Sequence, residues 1–389
     1  MTQSEREVSL WRLSPLVAGA FAIGVDASVL SGILLEVSEG LHAEPGAVGQ
    51  VLAVFPLTYA IAAPLVATLV SGQSQRRISM AGLLLFALGN LVAASGTITL
   101  LGVGRFVAAL GACAYLPNAT ATAAASAPER RSGRAVSLVL SGVTAATVLG
   151  VPAGIYLAAL VGWRWVLISI AVLGLVSALA QQATGGLANP RPTPVPVRDR
   201  LRLLGDRTLL GALALTVVVV TGEFVVHSYL AVVVDENVGA GTGVLALALT
   251  VFGASTLVGT ISGGVLSDRF HWRPLLLVTV TAVGAILVAL PLADGLVATL
   301  VLLSLWGMVG WTIVPTQLHR LFAVHPTEGS VVASLNSSSV FLGVALGGLV
   351  GSWAVDGHGI VVLCLVAAAV VWCALFFLLP VRSGAVRTA

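Results

Sequence analysis

Long apolar runs separated by short polar segments dominate the pattern of this chain of 389 residues. A helix that crosses a bilayer needs about 20 mostly apolar residues, and the alternation that is typical of barrel strands does not occur. Twelve runs are long enough, and we number them spans 1 to 12. They lie near 14–36, 46–70, 78–97, 99–123, 135–159, 163–181, 208–233, 242–266, 274–292, 295–318, 329–354 and 359–380. The pattern predicts an all-α membrane protein with twelve transmembrane helices.

The composition excludes several other classes of protein. Charged residues make up only 9% of the chain, whereas a soluble domain carries about 25%. The basic residues are all arginines, so the chain lacks the lysine of an ATP-binding Walker A loop. Cys113, Cys364 and Cys373 lie in apolar runs, and no His-Glu-x-x-His motif occurs. We therefore expect no metal site, no cofactor and no enzymatic activity.

The distribution of charge predicts an orientation. If the N-terminus is cytoplasmic, 17 of the 19 arginines fall in inner segments; Arg164 falls in an outer loop and Arg105 inside span 4. Cytoplasmic loops are the ones that carry excess arginine. The sequence therefore predicts a multi-pass protein of the bacterial cytoplasmic (inner) membrane with both termini in the cytoplasm. Arginines spread over short loops do not indicate nucleic-acid binding.

The longest interior polar stretch separates spans 6 and 7, and prolines alternate within it at positions 190, 192, 194 and 196. Such a segment is a stiff, extended spacer. The predicted domains are an N-terminal six-helix bundle at 1–183, a cytoplasmic Pro/Arg-rich linker at 184–207 and a C-terminal six-helix bundle at 208–389.

An offset of 197 residues suggests that the two halves are repeats of each other. It places Gly150 on Gly347 and Asp26 on Glu223, and acids inside spans are few. Parallel six-span repeats with a binding site at the midplane between them describe one large class of transporters. We therefore expect two pseudo-symmetric bundles with a small-molecule site between them.

Several motifs support a more specific resemblance. Ser262–Arg273 is similar to the loop motif G-x-x-x-D-R-x-G-x-R, Leu101–Arg105 to a span-4 motif with a membrane arginine, and Gly150–Gly154 to the span-5 Gly-Pro-Gly motif of antiporters. The chain resembles the major facilitator superfamily, in particular its twelve-span drug:proton antiporters of the arabinose-efflux-permease type. It departs from them in a degraded first-half loop motif and in an acid at Asp26 where relatives often carry one at the position of Ala27.

Asp26 is the first candidate for proton coupling. It lies near the middle of span 1, where a charged side chain costs about 2.5–3.5 kcal/mol on insertion scales. Such a residue is expected to face the bundle interior or a wet cavity and to exchange protons there. The alternative is a structural acid that is bonded to Ser28 or Ser31.

Three further residues complete the predicted proton-coupling group. Glu223 and His227 lie four positions apart on one face of span 7. They either share a proton, form a buried hydrogen-bonded pair, or make a polar end near the outer interface with no transport role. Arg105 lies six residues into span 4 and either extends to the outer surface or, as the resemblance implies, organises span 1 or holds an acid ionised.

Two other sets of residues carry predicted roles. Polar and aromatic residues inside the spans are candidates for the substrate site: Tyr59, Tyr115, Asn118, Tyr229, Trp306, Trp311, Gln317 and Asn336. The resemblance implies conformational roles for Gly150, Pro152 and Gly154 in span 5 and for Gly264, Asp268 and Arg269 at the inner end of span 8.

The combined expectation is a monomeric secondary transporter that exports a small amphipathic or hydrophobic molecule in exchange for protons, by alternating access. Multidrug resistance is one function of such transporters. Two alternatives remain open. One is an uptake symporter or facilitator of the same fold, and the other is a membrane accessory protein that does not transport.

Overall fold

A computed structural model describes residues 10–69, 73–127, 132–184, 187, 205–239, 241–324 and 329–378 of the protein. Every regular element within these ranges is helical, and none is a strand. Eleven helical segments of the described chain are long and apolar enough to cross a membrane. The last of them, Leu335–Leu378, spans 44 residues and divides at Gly359, whose φ of 74° and ψ of 177° interrupt the helix. The predicted all-α membrane fold with twelve spans is confirmed.

The N-terminal bundle contains spans 1 to 6. Span 2 consists of two consecutive helices, and span 5 contains a short π-helix at Ala146–Gly150. A short helix at Leu34–Leu41 follows span 1. The helices of spans 1 to 6 are Ser14–Gly32, Pro45–Leu52 with Val54–Leu69, Gln75–Ala93, Ile98–Ser126, Ser132–Ala145 with Val151–Val161, and Trp163–Ala183.

The C-terminal bundle contains spans 7 to 12. Span 10 consists of two consecutive helices, and a short helix at Leu230–Val238 follows span 7. The helices are Arg207–His227, Thr242–Arg269, Trp272–Ala289, Gly295–Gly310 with Ile313–Val324, and Gly329–Cys373, which holds spans 11 and 12 on either side of Gly359. The predicted linker at 184–207 lies almost entirely outside the described residues.

The outer face of the bundles is apolar. Leu160 is 81% exposed, Leu69 is 76% exposed and Val297 is 75% exposed. Exposed apolar side chains in such number are unfavourable in water, whereas the hydrocarbon core of a bilayer accommodates them. The surface thus agrees with the twelve spans in placing this protein within a membrane.

The backbone repeats local features at the predicted offset of 197 residues. His42 and Gly239 both have positive φ, at 53° and 67°, and both end the short helix that follows the first span of their half. Gly162 and Gly359 both have positive φ, at 95° and 74°, and both precede the last span of their half. Glycine adopts this conformation without the strain that a Cβ atom brings.

A side-chain contact repeats at the same offset. Arg76 donates to the carbonyl oxygen of Gln181 at 2.9 Å, and Arg273 donates to the carbonyl oxygen of Leu378 at 2.8 Å. Each arginine begins the third span of its half and satisfies a carbonyl at the end of the sixth. Carbonyls at a helix C-terminus have no partner within the helix, and they attract cations. The two halves therefore share their internal construction.

The two bundles contact each other where span 2 begins and span 11 ends, at the predicted outer surface. The backbone N–H of Gly46 donates to Asp356 Oδ1 at 2.7 Å, and Gln50 Nε2 donates to Ser352 Oγ at 2.8 Å. Asp356 thereby satisfies an N–H at the start of the helix Pro45–Leu52, an end that attracts an anion. Spans 2 and 11 thus close this end of the space between the bundles.

Candidate functional site

A cavity of about 260 Å³ lies between the two bundles. Its wall combines aromatic rings with hydroxyl, guanidinium and imidazole groups from both halves of the chain. The aromatic members are Phe55, Phe224, Phe252, Trp311 and Phe341, and the polar members are Ser28, Ser31, Arg105, Thr147, His227, Ser228 and Thr256. A concave, mainly apolar space with a few polar groups is typical of small-molecule sites.

Asp26 and Arg105 form a buried ion pair behind this wall. Arg105 Nη1 donates to Asp26 Oδ1 at 2.6 Å, and the two side chains are 3% and 0% exposed respectively. Ser31 Oγ donates to the carbonyl oxygen of Ser28, so the alternative of a serine hydroxyl bonded to Asp26 is not observed. The pair joins spans 1 and 4 of the N-terminal bundle.

The ion pair leaves hydrogen-bonding capacity unused. Among the described residues, neither Asp26 Oδ2 nor Arg105 Nε has a hydrogen-bond partner. Asn90 lies beside the Asp26 carboxylate, and the guanidinium carbon of Arg105 lies 4.3 Å from the ring centroid of Phe55. Unsatisfied buried polar groups are costly, so a partner that enters the cavity and meets Arg105 would be favoured.

The side chains of Asp26 and Ala27 in span 1 point in different directions. Successive residues of a helix point about 100° apart. Ala27 lines the cavity, whereas Asp26 points to Arg105 within its own bundle. Asp26 therefore meets the cavity only through Arg105.

Glu223 is the buried acid of the C-terminal bundle. Its side chain is 6% exposed, it lies against Gly310 and Trp306 of span 10, and its Oε1 atom has no hydrogen-bond partner within the described chain. A Cβ atom at position 310 would occupy the space of the carboxylate. The absence of a side chain at Gly310 thus gives Glu223 its site.

His227 lies one turn after Glu223 and takes part in an aromatic cluster instead of bonding to the acid. Its ring centroid is 4.7 Å from that of Phe224, 5.5 Å from that of Phe252 and 6.2 Å from that of Trp311. No hydrogen bond joins it to Glu223 among the described contacts. The imidazole lines the cavity, while Glu223 lies behind it.

Most predicted substrate-site residues make their contacts outside the cavity lining, and Tyr59 and Tyr229 make some of theirs between the two bundles. Trp311 lines the cavity, while Tyr59 lies behind its wall, stacked on Phe341 at 3.9 Å. The other six lie outside the lining. Three of them donate hydrogen bonds to backbone carbonyl oxygens: Tyr115 to Leu16, Asn118 to Ala114 and Tyr229 to Gly348. Gln317 donates to the Thr216 hydroxyl, which in turn donates to Asn336, and Trp306 packs on Phe252.

Sequence reasoning missed the phenylalanines of the wall. Phe55 and Phe252 are each 2% exposed, whereas Phe106 is 49% exposed on the outer surface. All three lie in apolar runs, and lipid tails are as apolar as a protein interior. The sequence alone therefore does not separate wall from lipid-facing rings. For Phe224, its place one residue after Glu223 was an available signal.

The span-5 motif packs closely against span 1. A Cβ atom on Gly150 would overlap Cγ2 of Val25, and one on Gly154 would overlap Cγ2 of Val29. Pro152 follows the π-helix at Ala146–Gly150, and proline cannot donate to the preceding turn. The motif thus sets the approach of span 5 to the helix that carries Asp26.

We predict that Gly150→Ala destabilises the protein by about 1–3 kcal/mol, because an added methyl group overpacks this contact. Gly211 is a matched control, since no atom lies within 4 Å of a Cβ built there. Gly211→Ala is expected to be neutral or to stabilise by up to about 1 kcal/mol. Thermal unfolding of both purified variants measures the difference, and equal unfolding temperatures would contradict the prediction.

The span-8 motif lies at the opposite end of the bundle from Asp356. Gly264 has open space where a Cβ atom would lie, and Arg269 is the exposed last residue of the helix Thr242–Arg269. The side chain of Asp268 is outside the part that the structure describes. The conformational role of these three residues therefore stays a prediction.

Comparison with known proteins identifies the family. The sequence profile of the Major Facilitator Superfamily matches residues 16–328. The chain is 31% identical over 349 residues to the uncharacterized MFS-type transporter YbcL of Bacillus subtilis (strain 168), with 88% of each chain covered. It is 31% identical over 348 residues to a chloramphenicol resistance protein of Streptomyces lividans, with 87% of each covered.

Solved structures share the fold at low sequence identity. A bacterial homolog of the human lysosomal transporter Spinster, in an inward-facing and occupied conformation, superposes with a TM-score of 0.76 at 16% identity, covering 97% of this chain and 96% of that one. The E. coli fucose:proton symporter superposes with a TM-score of 0.62 at 19% identity, covering 94% and 97%. The profile, the relatives and the twelve-span fold together show that the chain belongs to the major facilitator superfamily, as a non-enzymatic membrane transporter.

Proposed function

We propose that the protein exports a small amphipathic or hydrophobic molecule in exchange for protons, across a bacterial cytoplasmic membrane in which both termini face the cytoplasm. The observation that carries the proposal is the cavity between the bundles, whose wall includes Arg105 on one side and His227 on the other. Each of these residues lies next to a buried acid. Binding site and ionisable groups are thus close enough to influence each other.

In this proposal the bundles at 1–183 and 208–389 rock about the cavity as a monomer, joined by the linker at 184–207. Such rocking around a fixed midplane site is the general mode of transporters built from repeats. The contacts of Gly46 with Asp356 and of Gln50 with Ser352 hold the outer end closed. Opening of the site outward requires both of these contacts to break.

Protons enter the cycle at Asp26 and Glu223. A proton on Asp26 removes the charge that holds Arg105, so the guanidinium is free to change its contacts with the cavity. A proton on Glu223 neutralises an acid that borders the aromatic cluster around His227. The membrane potential contributes about 2.3 kcal/mol for each charge moved through 100 mV. An exchange that carries net positive charge inward is therefore driven in the direction of export.

Export of an antibiotic is supported by the relative from Streptomyces lividans, whose name describes chloramphenicol resistance. Inverted membrane vesicles that respire acidify their interior, so a proton-coupled exporter accumulates its substrate inside them. We expect radiolabelled chloramphenicol to accumulate several-fold, and nigericin, which collapses the pH gradient, to release it.

The same vesicles separate the alternatives. A proton symporter would expel the label when the interior is acid, and a facilitator would equilibrate it with or without the gradient. An accessory protein that does not transport would show no movement beyond that of vesicles without the protein. Any of these three results would contradict the proposed function.

A further inference from the structure

We propose that the cavity selects uncharged or anionic aromatic molecules and rejects organic cations. This inference rests on the proposed function, because it names the class of substrate for the same site. The first observation is the charge of the wall. No aspartate or glutamate occurs among the described residues that line it, and Arg105 is its one arginine.

Both neighbouring acids are shielded from a ligand. Asp26 is 0% exposed, and its Oδ1 atom accepts from Arg105. Glu223 lies behind the wall against Gly310 and Trp306. A ligand in the cavity therefore meets the positive pole of the Asp26–Arg105 pair first. Like charges repel more strongly in a low-dielectric interior than in water, so a cationic group is disfavoured here.

Arg105 also has an unused donor, its Nε atom. A guanidinium has five N–H donors and no acceptor, and in the described structure Nε has no partner although the side chain is 97% removed from solvent. A ligand hydroxyl, carbonyl, nitro or carboxylate oxygen would satisfy such a donor. An ammonium group would not, because it has no lone pair to offer.

The opposite wall fits an aromatic ring. Trp311 and Phe252 meet edge to face at 5.4 Å, and His227 lies 6.2 Å from Trp311. Aromatic faces hold rings by stacking and can also attract cations. The Asp26–Arg105 pair decides between these two uses, because its positive pole faces the cavity and its negative pole lies behind it. The geometry thus fits a ring on the C-terminal side and a hydrogen-bond acceptor on the N-terminal side.

Three probes that share a para-nitrophenyl ring test the inference. They are the uncharged para-nitrophenethyl alcohol, the carboxylate anion of para-nitrophenylacetic acid (the acetate probe) and the para-nitrophenethylammonium cation. Their binding to the purified full-length protein is measured by equilibrium dialysis at pH 7.4, without any gradient. We expect the alcohol and the acetate to bind at least about tenfold more tightly than the ammonium probe. Comparable or tighter binding of the ammonium probe, or saturable binding of none of the three, would overturn the inference.

Ala27→Asp supplies a gain-of-function test, because Ala27 lines the cavity and its side chain is exposed. An acid at this position lies in the wall, so binding of the ammonium probe should strengthen about tenfold relative to that of the acetate. Ala27→Asn is the matched uncharged control and should keep the wild-type order. An Asp variant that also keeps this order contradicts the proposal.

Dialysis needs no proton gradient, so it tests the charge selectivity of binding independently of proton-driven export. Either proposal can therefore fail while the other stands. If vesicles show no proton-driven export but the probe order holds, the proposed function is wrong and the charge selectivity stands. If export occurs and the ammonium probe binds best, the substrate class is wrong and the function stands.

Discussion

Replacing Arg105 by methionine is expected to lower the free energy of unfolding by about 3–5 kcal/mol, because removal of one partner from a buried ion pair leaves an uncompensated charge. Asp26 is fully buried, and its ionic partner is Arg105. Methionine keeps much of the side-chain volume, so the change reports on the charge more than on packing. We expect this to be the largest stability effect of any single substitution considered for this protein.

The double variant Asp26→Asn/Arg105→Met separates charge from packing. With both charges gone, the free energy of unfolding should recover most of the loss, since replacing a whole buried pair is often nearly neutral. Arg164→Met is a matched control, because the guanidinium carbon of Arg164 lies 4.6 Å from the Trp163 ring and has no acidic partner among the described residues. We expect it to cost less than about 1 kcal/mol.

Thermal unfolding in detergent, followed by tryptophan fluorescence, ranks the four proteins. The expected order is wild type, then Arg164→Met, then the double variant, and Arg105→Met last by a wide margin. Adding Asp26→Asn as a fifth protein completes the double-mutant cycle. A double variant whose loss of stability equals the sum of the losses of the two single variants would show that the two residues are not energetically coupled.

Much of the fold was predictable from the sequence for a simple physical reason. A bilayer forces each spanning segment to be long, apolar and helical. The placement of the arginines predicts which loops face the cytoplasm. The helical pattern also located Asp26, Arg105 and Glu223 as unusual, since a charge inside a span is expensive and needs a partner. These inferences depend only on local sequence and the properties of lipid.

The pairing of these charges could not be predicted from the local sequence. Asp26 and Arg105 are 79 residues apart in the chain, and only the packing of span 1 against span 4 makes them partners. The same limit explains the polar residues. Gln317 and Asn336 satisfy Thr216 inside the C-terminal bundle, because any buried amide needs a partner. Polarity within a span thus indicates burial, but it does not distinguish a substrate site from an internal contact.

Glu223→Gln is expected to reduce pH-driven accumulation of substrate in inverted vesicles by at least about tenfold. Glutamine has nearly the same shape and fits beside Gly310 and Trp306, but it cannot accept and release a proton. Binding of uncharged probes by the purified variant should remain within about twofold of wild type. Glu236→Gln is the matched control, because Glu236 is exposed in the helix that follows span 7, and it should accumulate substrate normally.

Asp26→Asn should also lose gradient-driven accumulation, but with a second consequence that Glu223→Gln lacks. It leaves Arg105 charged and without its ionic partner, so its unfolding temperature should fall, whereas that of Glu223→Gln should not. Stability therefore distinguishes an acid that is paired with an arginine from an acid that has no ionic partner among the described residues. If both variants accumulate substrate at the wild-type rate under a pH gradient, neither acid carries the transported proton. Loss in one variant alone would assign the coupling to that bundle, since each acid belongs to a different half of the repeat.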